Sequence, residues 1–138
     1  MKYTAIIIPT RLEAKRFPNK PLAKINNVPM IIHVLNRAKE SKVGEVLVAT
    51  PDNKIVDLIV KNGGQVILTK DDHASGSDRV HEAYTKRFKD SMDLIINLQG
   101  DMPNIKPNSI SKLAKLMHIN DCDIGTLACL IKNENEVV

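Results

Sequence analysis

Aromatic residues are scarce in this sequence, and it has no long apolar run. There is no tryptophan, and only 3% of the residues are aromatic, so the chain has little material for stacking on nucleic-acid bases. No apolar run approaches the ~20 residues that a membrane-spanning helix needs. The apolar patch near the first residue is too short for a secretion signal. These absences favour a cytoplasmic globular protein that acts without nucleic acid and without a membrane.

Cysteines and glycine-rich phosphate motifs are also sparse. Cys122 and Cys129 are the two cysteines. Their spacing does not fit a zinc or redox motif, and we expect buried, unreactive thiols. The sequence contains neither G-x-x-x-x-G-K-[ST] nor G-x-G-x-x-G, which disfavours P-loop NTPases and the common dinucleotide-binding proteins. A bound nucleotide would therefore have to be held largely by side chains.

The sequence does contain a repeated alternation of short apolar runs with longer amphipathic stretches. Its 138 residues are enough for one domain with a buried core. Strands are predicted at 3–8, 45–50, 65–69, 93–99 and 123–131, and helices at 30–41, 53–64, 77–88 and 106–120. This alternation indicates an α/β fold with a largely parallel sheet, flanking helices and right-handed crossovers.

Ligands of such sheets bind beyond the carboxyl ends of the strands, near a switch in strand order. The first loop at such an end, residues 9–22, concentrates positive charge, since residues 11–24 hold five basic side chains and one acidic one. Arg11, Arg16 and Lys20 suit a polyphosphate, whose charges are commonly balanced by arginine forks and lysine point charges. A basic loop that is merely solvated remains an alternative at this point.

The loop 99–106 follows the fourth predicted strand. Gly100 allows a tight turn or a close approach to a ligand, and the Asp101 carboxylate is suited to hold Mg²⁺ against substrate phosphates. Gln99 offers a paired donor and acceptor for a base or a sugar. The alternative is that Asp101 is only a turn residue before Pro103.

The loop 70–78 brings hydroxyl groups and a basic side chain to the start of a predicted helix. Ser75 and Arg79 suit an anion or a pyrimidine edge, while Ser77 is the predicted N-cap of the helix. The adjacent Asp71, Asp72 and His73 are predicted to form a solvated turn, because neighbouring residues rarely converge on one metal ion.

Three stretches in this order resemble one enzyme family. They are "IIIPTRLEAKRFPNKPL", "VATPDNKIVDLIVKNGGQVILTKDDHASGSDR" and "NLQGDMP", and they are similar to the 3-deoxy-manno-octulosonate cytidylyltransferases, the CMP-Kdo synthetases. The family patterns I-P-A-R-x-x-S-x-R-x-P-x-K-P-L, H-x-S-G-T-[DE]-R and V-Q-G-D-E-P fall at residues 8–22, 73–79 and 98–103. Thr10, Ala14 and Met102 depart from the usual Ala, Ser and Glu.

The resemblance implies a Rossmann-like nucleotide-diphospho-sugar transferase fold and a reaction. CTP and the sugar acid Kdo would give CMP-Kdo and pyrophosphate, for lipopolysaccharide biosynthesis. By resemblance, Arg11, Lys20 and Asp101 would be catalytic, Asp101 would also hold Mg²⁺, and the substrate-binding residues would be Arg16, Ser75, Arg79 and Gln99.

Members of this family are longer than this chain. Residues 1–138 would form the nucleotide-binding domain without the C-terminal part, which carries most of the sugar-acid site, a second metal-binding Asp and much of the homodimer contact. Three alternatives remain: another sugar cytidylyl- or nucleotidyltransferase, a non-catalytic nucleotide-binding half-domain, or a structural α/β domain.

Overall fold

The computed structural model describes residues 3–13 and 16–128. The strands are β1 (Thr4–Pro9), β2 (Lys24–Ile25), β3 (Val28–Pro29), β4 (Glu45–Thr50), β5 (Gln65–Leu68) and β6 (Leu94–Asn97). The α-helices are α1 (Met30–Glu40), α2 (Asn53–Lys61), α3 (Gly76–Arg87) and α4 (Pro107–Ile119), and a short 3₁₀ helix spans Lys20–Leu22. None of the helices in these two ranges has the length and apolar character needed to cross a membrane.

The predicted helices and the first four predicted strands are confirmed, with ends shifted by at most three residues. Local sequence explains several of these ends. Pro107 occupies the first turn of α4, where its missing N–H is not needed. Gly63, with φ +73°, follows α2, and the Gly64 N–H donates to the Ile59 carbonyl at 2.9 Å. A residue at positive φ ends a helix in this way because the turned chain caps the last carbonyls.

Four strands form one parallel sheet in the order β5-β4-β1-β6. The chain runs from β1 outward to β4 and β5, and α3 then returns it to β6 on the other side of β1. The strand order therefore switches between β1 and β6, and a ligand crevice is expected at the carboxyl ends of these two strands.

Alternating strand residues build a core on each face of the sheet. On one face, residues such as Ile6, Ile8 and Val48 pack with the apolar sides of α1, α2 and α4. On the other face, Ile7 and Leu47 belong to a smaller cluster with α3. All six residues of β1 are buried, which confirms a strand covered on both faces and gives the site a rigid base.

A two-stranded hairpin, β2–β3, precedes α1 and was not predicted. Asn26 and Asn27 turn it with φ values of 50° and 65°, in the left-handed region that asparagine tolerates. Its strands are only two residues long, too short to show an alternating pattern.

The predicted fifth strand, 123–131, is wrong over its described part. Residues 123–128 form no strand, and β6 is paired with β1 alone among the strands of the described ranges. Ile124 is 89% exposed, so the apolar run lacks the two covering layers that a strand inside a parallel sheet requires. Residues 129–131 lie outside the described residues.

The expectation of buried thiols is also wrong for Cys122. This residue follows the end of α4 and is an exposed free cysteine, with its Sγ 3.6 Å from the Met117 Sδ. The apolar residues Ile124 and Leu127 that follow it are themselves 89% and 44% exposed, so this loop does not carry the thiol into the core. Cys129 lies outside the described residues.

Candidate active site

A cavity of about 280 Å³ opens at the predicted switch point. Its walls come from the ends of β1 and β6, the 3₁₀ helix and the segment leading into α3. Six of the seven predicted site residues line it: Arg11, Lys20, Ser75, Arg79, Gln99 and Asp101. Arg16 is exposed and is not among the lining residues, so the fold does not bring it to the others.

The first basic loop is fastened to the neighbouring strand β4. The Thr10 N–H donates to the Ala49 carbonyl at 3.0 Å, which extends the β1–β4 ladder by one residue. The Leu12 N–H donates to the Asp52 carboxylate at 2.8 Å. Asp52 was not predicted as a site residue, although its place after a strand adjacent to β1 is a usable signal. These two bonds direct Arg11 into the cavity.

Gly100 allows the loop after β6 to approach the loop after β1, as expected. A Cβ placed on Gly100 would lie 3.2 Å from the Pro9 carbonyl oxygen and from the Thr10 side chain. Such contacts are tighter than a side chain normally tolerates, so only glycine fits there without a shift of the backbone. The close approach sets Asp101 opposite the basic loop.

Lys20 and Asp101 form an ion pair across the cavity mouth. The Lys20 Nζ donates to the Asp101 Oδ2 at 3.3 Å, and the two side chains are 39% and 55% exposed. A pair this exposed contributes little to stability, about 0–1 kcal/mol. Both groups therefore remain accessible to a ligand that carries phosphates and a cation.

Arg79 is held rigidly below the cavity. It is 3% exposed, and its Nη1 donates to the Thr69 hydroxyl at 2.7 Å and to the Lys70 carbonyl at 2.6 Å. Burial lowers the pKa of the guanidinium, and the charge of Arg11 lowers it further. Two cations that repel each other at one cavity favour an anion between them.

Ser75, not the predicted Ser77, is the N-cap of α3. Its hydroxyl accepts a bond from the Asp78 N–H at 3.3 Å and donates to the Asp78 carboxylate at 2.9 Å. The helix starts one residue earlier than predicted because this serine, spaced like the start of a capping box, satisfies the third N–H. The start of α3 thus faces the cavity.

The prediction of a solvated turn is wrong for His73, which lines the cavity. Its Nε2 is 2.6 Å from the Glu82 Oε1, and the two side chains are 17% and 12% exposed. Burial alone would raise the pKa of the Glu82 carboxyl, but hydrogen bonds from Lys86, His73 and the Lys70 N–H outweigh it and lower that pKa to about 2. No sequence pattern indicates this arrangement, because Glu82 has the sequence context of an ordinary helix residue.

Asp101 suits a shared magnesium site better than a complete protein cage. Across residues 3–13 and 16–128, no three His, Cys, Asp or Glu side chains gather in a way that could hold a metal. Mg²⁺ commonly uses one or two carboxylates together with substrate phosphates and water. The exposed Asp101 carboxylate fits this mode, with a nucleotide supplying further oxygens.

Comparison with known protein families identifies the family to which the chain belongs. A sequence model described as cytidylyltransferase matches residues 5–138. This chain belongs to the cytidylyltransferase family. All the residues that line the cavity fall within the matched range, so the cytidylyltransferase match includes the whole candidate site.

Curated relatives of this cytidylyltransferase chain are named 3-deoxy-manno-octulosonate cytidylyltransferase. The protein from Rhodopseudomonas palustris (strain BisB18) is 43% identical over 134 residues, which is 96% of this chain and 55% of the relative. The chain therefore spans about half the length of the curated relatives it matches, and it corresponds to their N-terminal half.

Solved structures agree with this assignment. A CMP:2-keto-3-deoxy-manno-octonic acid synthetase in complex with CTP has a TM-score of 0.79 and 40% identity, covering 84% of this chain and 47% of the other. A cytidylyltransferase from Leptospira borgpetersenii has a TM-score of 0.75 and 25% identity, covering 88% of this chain and 51% of the other. The fold is that of the nucleotide-diphospho-sugar transferases, as predicted.

Proposed function

We propose that this chain provides the CTP-binding half of an enzyme that activates the sugar acid Kdo. The overall reaction converts CTP and Kdo to CMP-Kdo and pyrophosphate, and the product supplies lipopolysaccharide biosynthesis. The names of the curated relatives and the CTP complex of a similar synthetase support this substrate pair. The cavity at the switch point is the proposed nucleotide site.

The observation that carries the proposal is the charge arrangement of the cavity. Arg11, Lys20 and Arg79 come from separate segments and converge there, and the Arg11 charge lowers the pKa of Arg79. A triphosphate between these groups would replace repulsion with attraction. The Arg79 bonds to Thr69 and Lys70 hold its guanidinium at the cavity, so its charge adds to those of the first loop there.

Each lining residue has a proposed role. Arg11 and Lys20 contact the triphosphate and stabilise the negative charge that develops on the departing pyrophosphate. Ser75, Arg79 and Gln99 contact the nucleotide, and Arg16, which does not line the cavity, is assigned no contact. Asp101 holds Mg²⁺, which when bound neutralises phosphate charge and orients the triphosphate.

The chemistry is a single displacement at phosphorus. The anomeric hydroxyl of Kdo attacks the α-phosphorus of CTP and loses its proton, a new P–O bond forms, and the bond to pyrophosphate breaks. Such reactions need little covalent help from the protein and depend on positioning and charge stabilisation. The rigid β1 and β6 ends and the fastened loops provide this positioning on the nucleotide side.

A second candidate function is nucleotide binding without turnover. The observation in its favour is that the charged residues lining the cavity suit a triphosphate and Mg²⁺ and leave none assigned to the sugar acid. The two candidates share the same cavity and the same ligand, so a binding experiment tests both.

The test is a thermal-shift comparison of CTP, UTP, ATP and GTP, each with Mg²⁺. We expect CTP to raise the melting temperature most, because a ligand that binds only the folded state stabilises it by mass action. Equal shifts for all four nucleotides would reduce the proposal to phosphate binding, and no shift with any of them would refute it.

A further inference from the structure

Glu82 connects a cavity residue to the helix behind it. One carboxylate oxygen, Oε1, lies 3.0 Å from the Lys70 nitrogen, whose N–H donates to it, and 2.6 Å from the His73 Nε2. The other oxygen, Oε2, lies 2.7 Å from the Lys86 Nζ. The first oxygen thus contacts the segment that forms a cavity wall, while the second, which is buried, lies next to the Lys86 ammonium group.

The segment 70–75 has few other attachments. The Arg79 Nη1 donates a hydrogen bond to the Lys70 carbonyl at 2.6 Å, and the Ser75 hydroxyl caps α3. Within residues 71–74, all of which the structure describes, the hydrogen bond between His73 and Glu82 is the one side-chain hydrogen bond. The position of the His73 ring in the cavity therefore depends on Glu82.

We propose that Glu82 is a positioning residue for nucleotide binding, acting through Oε1 on His73 and on the 70–75 backbone. Glu82 is not among the residues that line the cavity, and it acts on the ligand only through these partners. The inference rests on the proposed function, since it takes CTP as the ligand.

The geometry also fixes which His73 nitrogen carries a hydrogen. The Glu82 carboxylate is ionised at neutral pH, because its pKa is about 2, and an ionised carboxylate can only accept. The His73 Nε2 must therefore be the donor, and Nδ1 is the nitrogen left for other partners. A ring held in one tautomer and one orientation presents the same group to every nucleotide that enters.

The test measures CTP affinity by calorimetry, with Mg²⁺ present, for Glu82→Ala, Glu82→Gln, His73→Ala and Lys86→Ala. Glu82→Ala should weaken binding about tenfold, a usual effect for groups that orient ligating side chains. Glu82→Gln should lose less, because its amide oxygen can replace Oε1. Lys86→Ala is the matched control: it removes the Oε2 partner and leaves the Oε1 contacts to His73 and to the Lys70 N–H in place, so its affinity should stay within about twofold of the wild type.

A double variant and NMR spectra distinguish a positioning role of Glu82 from a general effect on the stability of the fold. Glu82→Ala combined with His73→Ala should lose less affinity than the sum of the two single losses, because part of the Glu82 effect passes through His73. In ¹⁵N-histidine spectra, the signal of the His73 Nε2 should move in Glu82→Ala, because its hydrogen then loses the carboxylate that accepts it in the wild type. The signal is assigned by its absence from His73→Ala.

The outcomes distinguish this proposal from the proposed function. A folded Glu82→Ala that binds CTP as the wild type does overturns the positioning role and leaves the CTP site standing. Should Glu82→Ala not fold, equal losses in Glu82→Gln and Lys86→Ala would likewise overturn it, because the effect would then follow the ion pair and not Oε1. A wild type that does not bind CTP overturns both proposals.

Discussion

At the scale of single residues, Lys20 is expected to contribute to ligand binding and little to the stability of the fold. Its ammonium group pairs with Asp101 across the cavity mouth while remaining 39% exposed. The fold gains little from such a pair, whereas a triphosphate gains a charge-assisted contact. Residues of this kind are held in place by the backbone around them, here by Pro21, which is buried in the 3₁₀ helix.

Lys20→Ala should therefore weaken CTP binding and leave the fold intact. We expect a loss of about tenfold or more in affinity, since a hydrogen bond to a charged group is worth about 1.5–3 kcal/mol. The free energy of unfolding should change by less than about 0.5 kcal/mol. Calorimetry and urea unfolding measure the two effects, and Lys54→Ala, an exposed lysine on α2, is the control. If Lys20→Ala unfolds the chain, Lys20 is structural and the prediction is wrong.

At the scale of elements, α3 and the segment before it form one unit. Ser75 caps the helix, and the Arg79 and Glu82 side chains hold the segment 69–73 against it. These contacts link a wall of the cavity to a helix whose other side packs on the sheet through Val80 and Ala83. The cavity wall is thus as stable as the helix that carries it.

This unit should make stability depend on pH in the acid range. The Glu82 carboxyl has a folded-state pKa of about 2 against an ordinary value of 4.5. The unfolded chain therefore binds more protons between these values, and the stabilisation is present above 4.5 and lost as the pH falls toward 2. Urea unfolding at a series of pH values should show a shallower loss in that window for Glu82→Gln.

The control is Glu40→Gln, which removes an exposed carboxylate that lies 3.8 Å from Arg37 on α1. An exposed pair of this kind contributes little, so this variant should follow the wild-type curve. Parallel acid curves for Glu82→Gln and the wild type would show that the buried contacts of Glu82 do not stabilise the fold.

At the scale of the whole molecule, the proposed nucleotide site lies beyond the carboxyl ends of β1 and β6, and β6 is one of the two edge strands of the described sheet. Beside β6, a groove of about 620 Å³ is lined by β6, α4 and residues 123–127. Gln99 lines both this groove and the cavity, and its amide donates to the Asn97 side chain at 2.9 Å. Among the described residues that line this groove, Asp123 is the one charged side chain, and its negative charge does not suit a sugar acid.

The polypeptide of residues 1–138 should therefore bind CTP and make little or no CMP-Kdo. Without an acceptor held against the α-phosphorus, the advantage of orientation is lost, and in favourable intramolecular systems it is worth roughly 7–11 kcal/mol. A coupled pyrophosphate-release assay with CTP, Kdo and Mg²⁺ measures turnover, with a full-length relative as the positive control. Turnover at the level of that control would mean that these residues already build an acceptor site.

Local patterns in the sequence determined the secondary structure and most of the site. The β-branched run of β1 and the periodic helices each carry their own signal, because burial on one or both faces constrains residue types at fixed spacing. Six of the seven predicted residues line the cavity, because the carboxyl ends of parallel strands meet at one edge whatever their exact order. The strand predicted over 123–128 is wrong because an apolar run indicates burial but does not show whether a neighbouring strand is present to pair with it.

Tertiary structure alone decided which groups meet across the chain. The contacts from Asp52 to Leu12 and from Glu82 to His73 join residues 40 and nine positions apart, and no local pattern specifies them. They arise from the order β5-β4-β1-β6, which places α3 beside the cavity and the end of β4 beside the first loop. The residue types in the loops determined which chemical groups are present at the sheet edge. The packing of the elements decided which of them become partners, because a buried charge is stable only where hydrogen-bonding groups surround it.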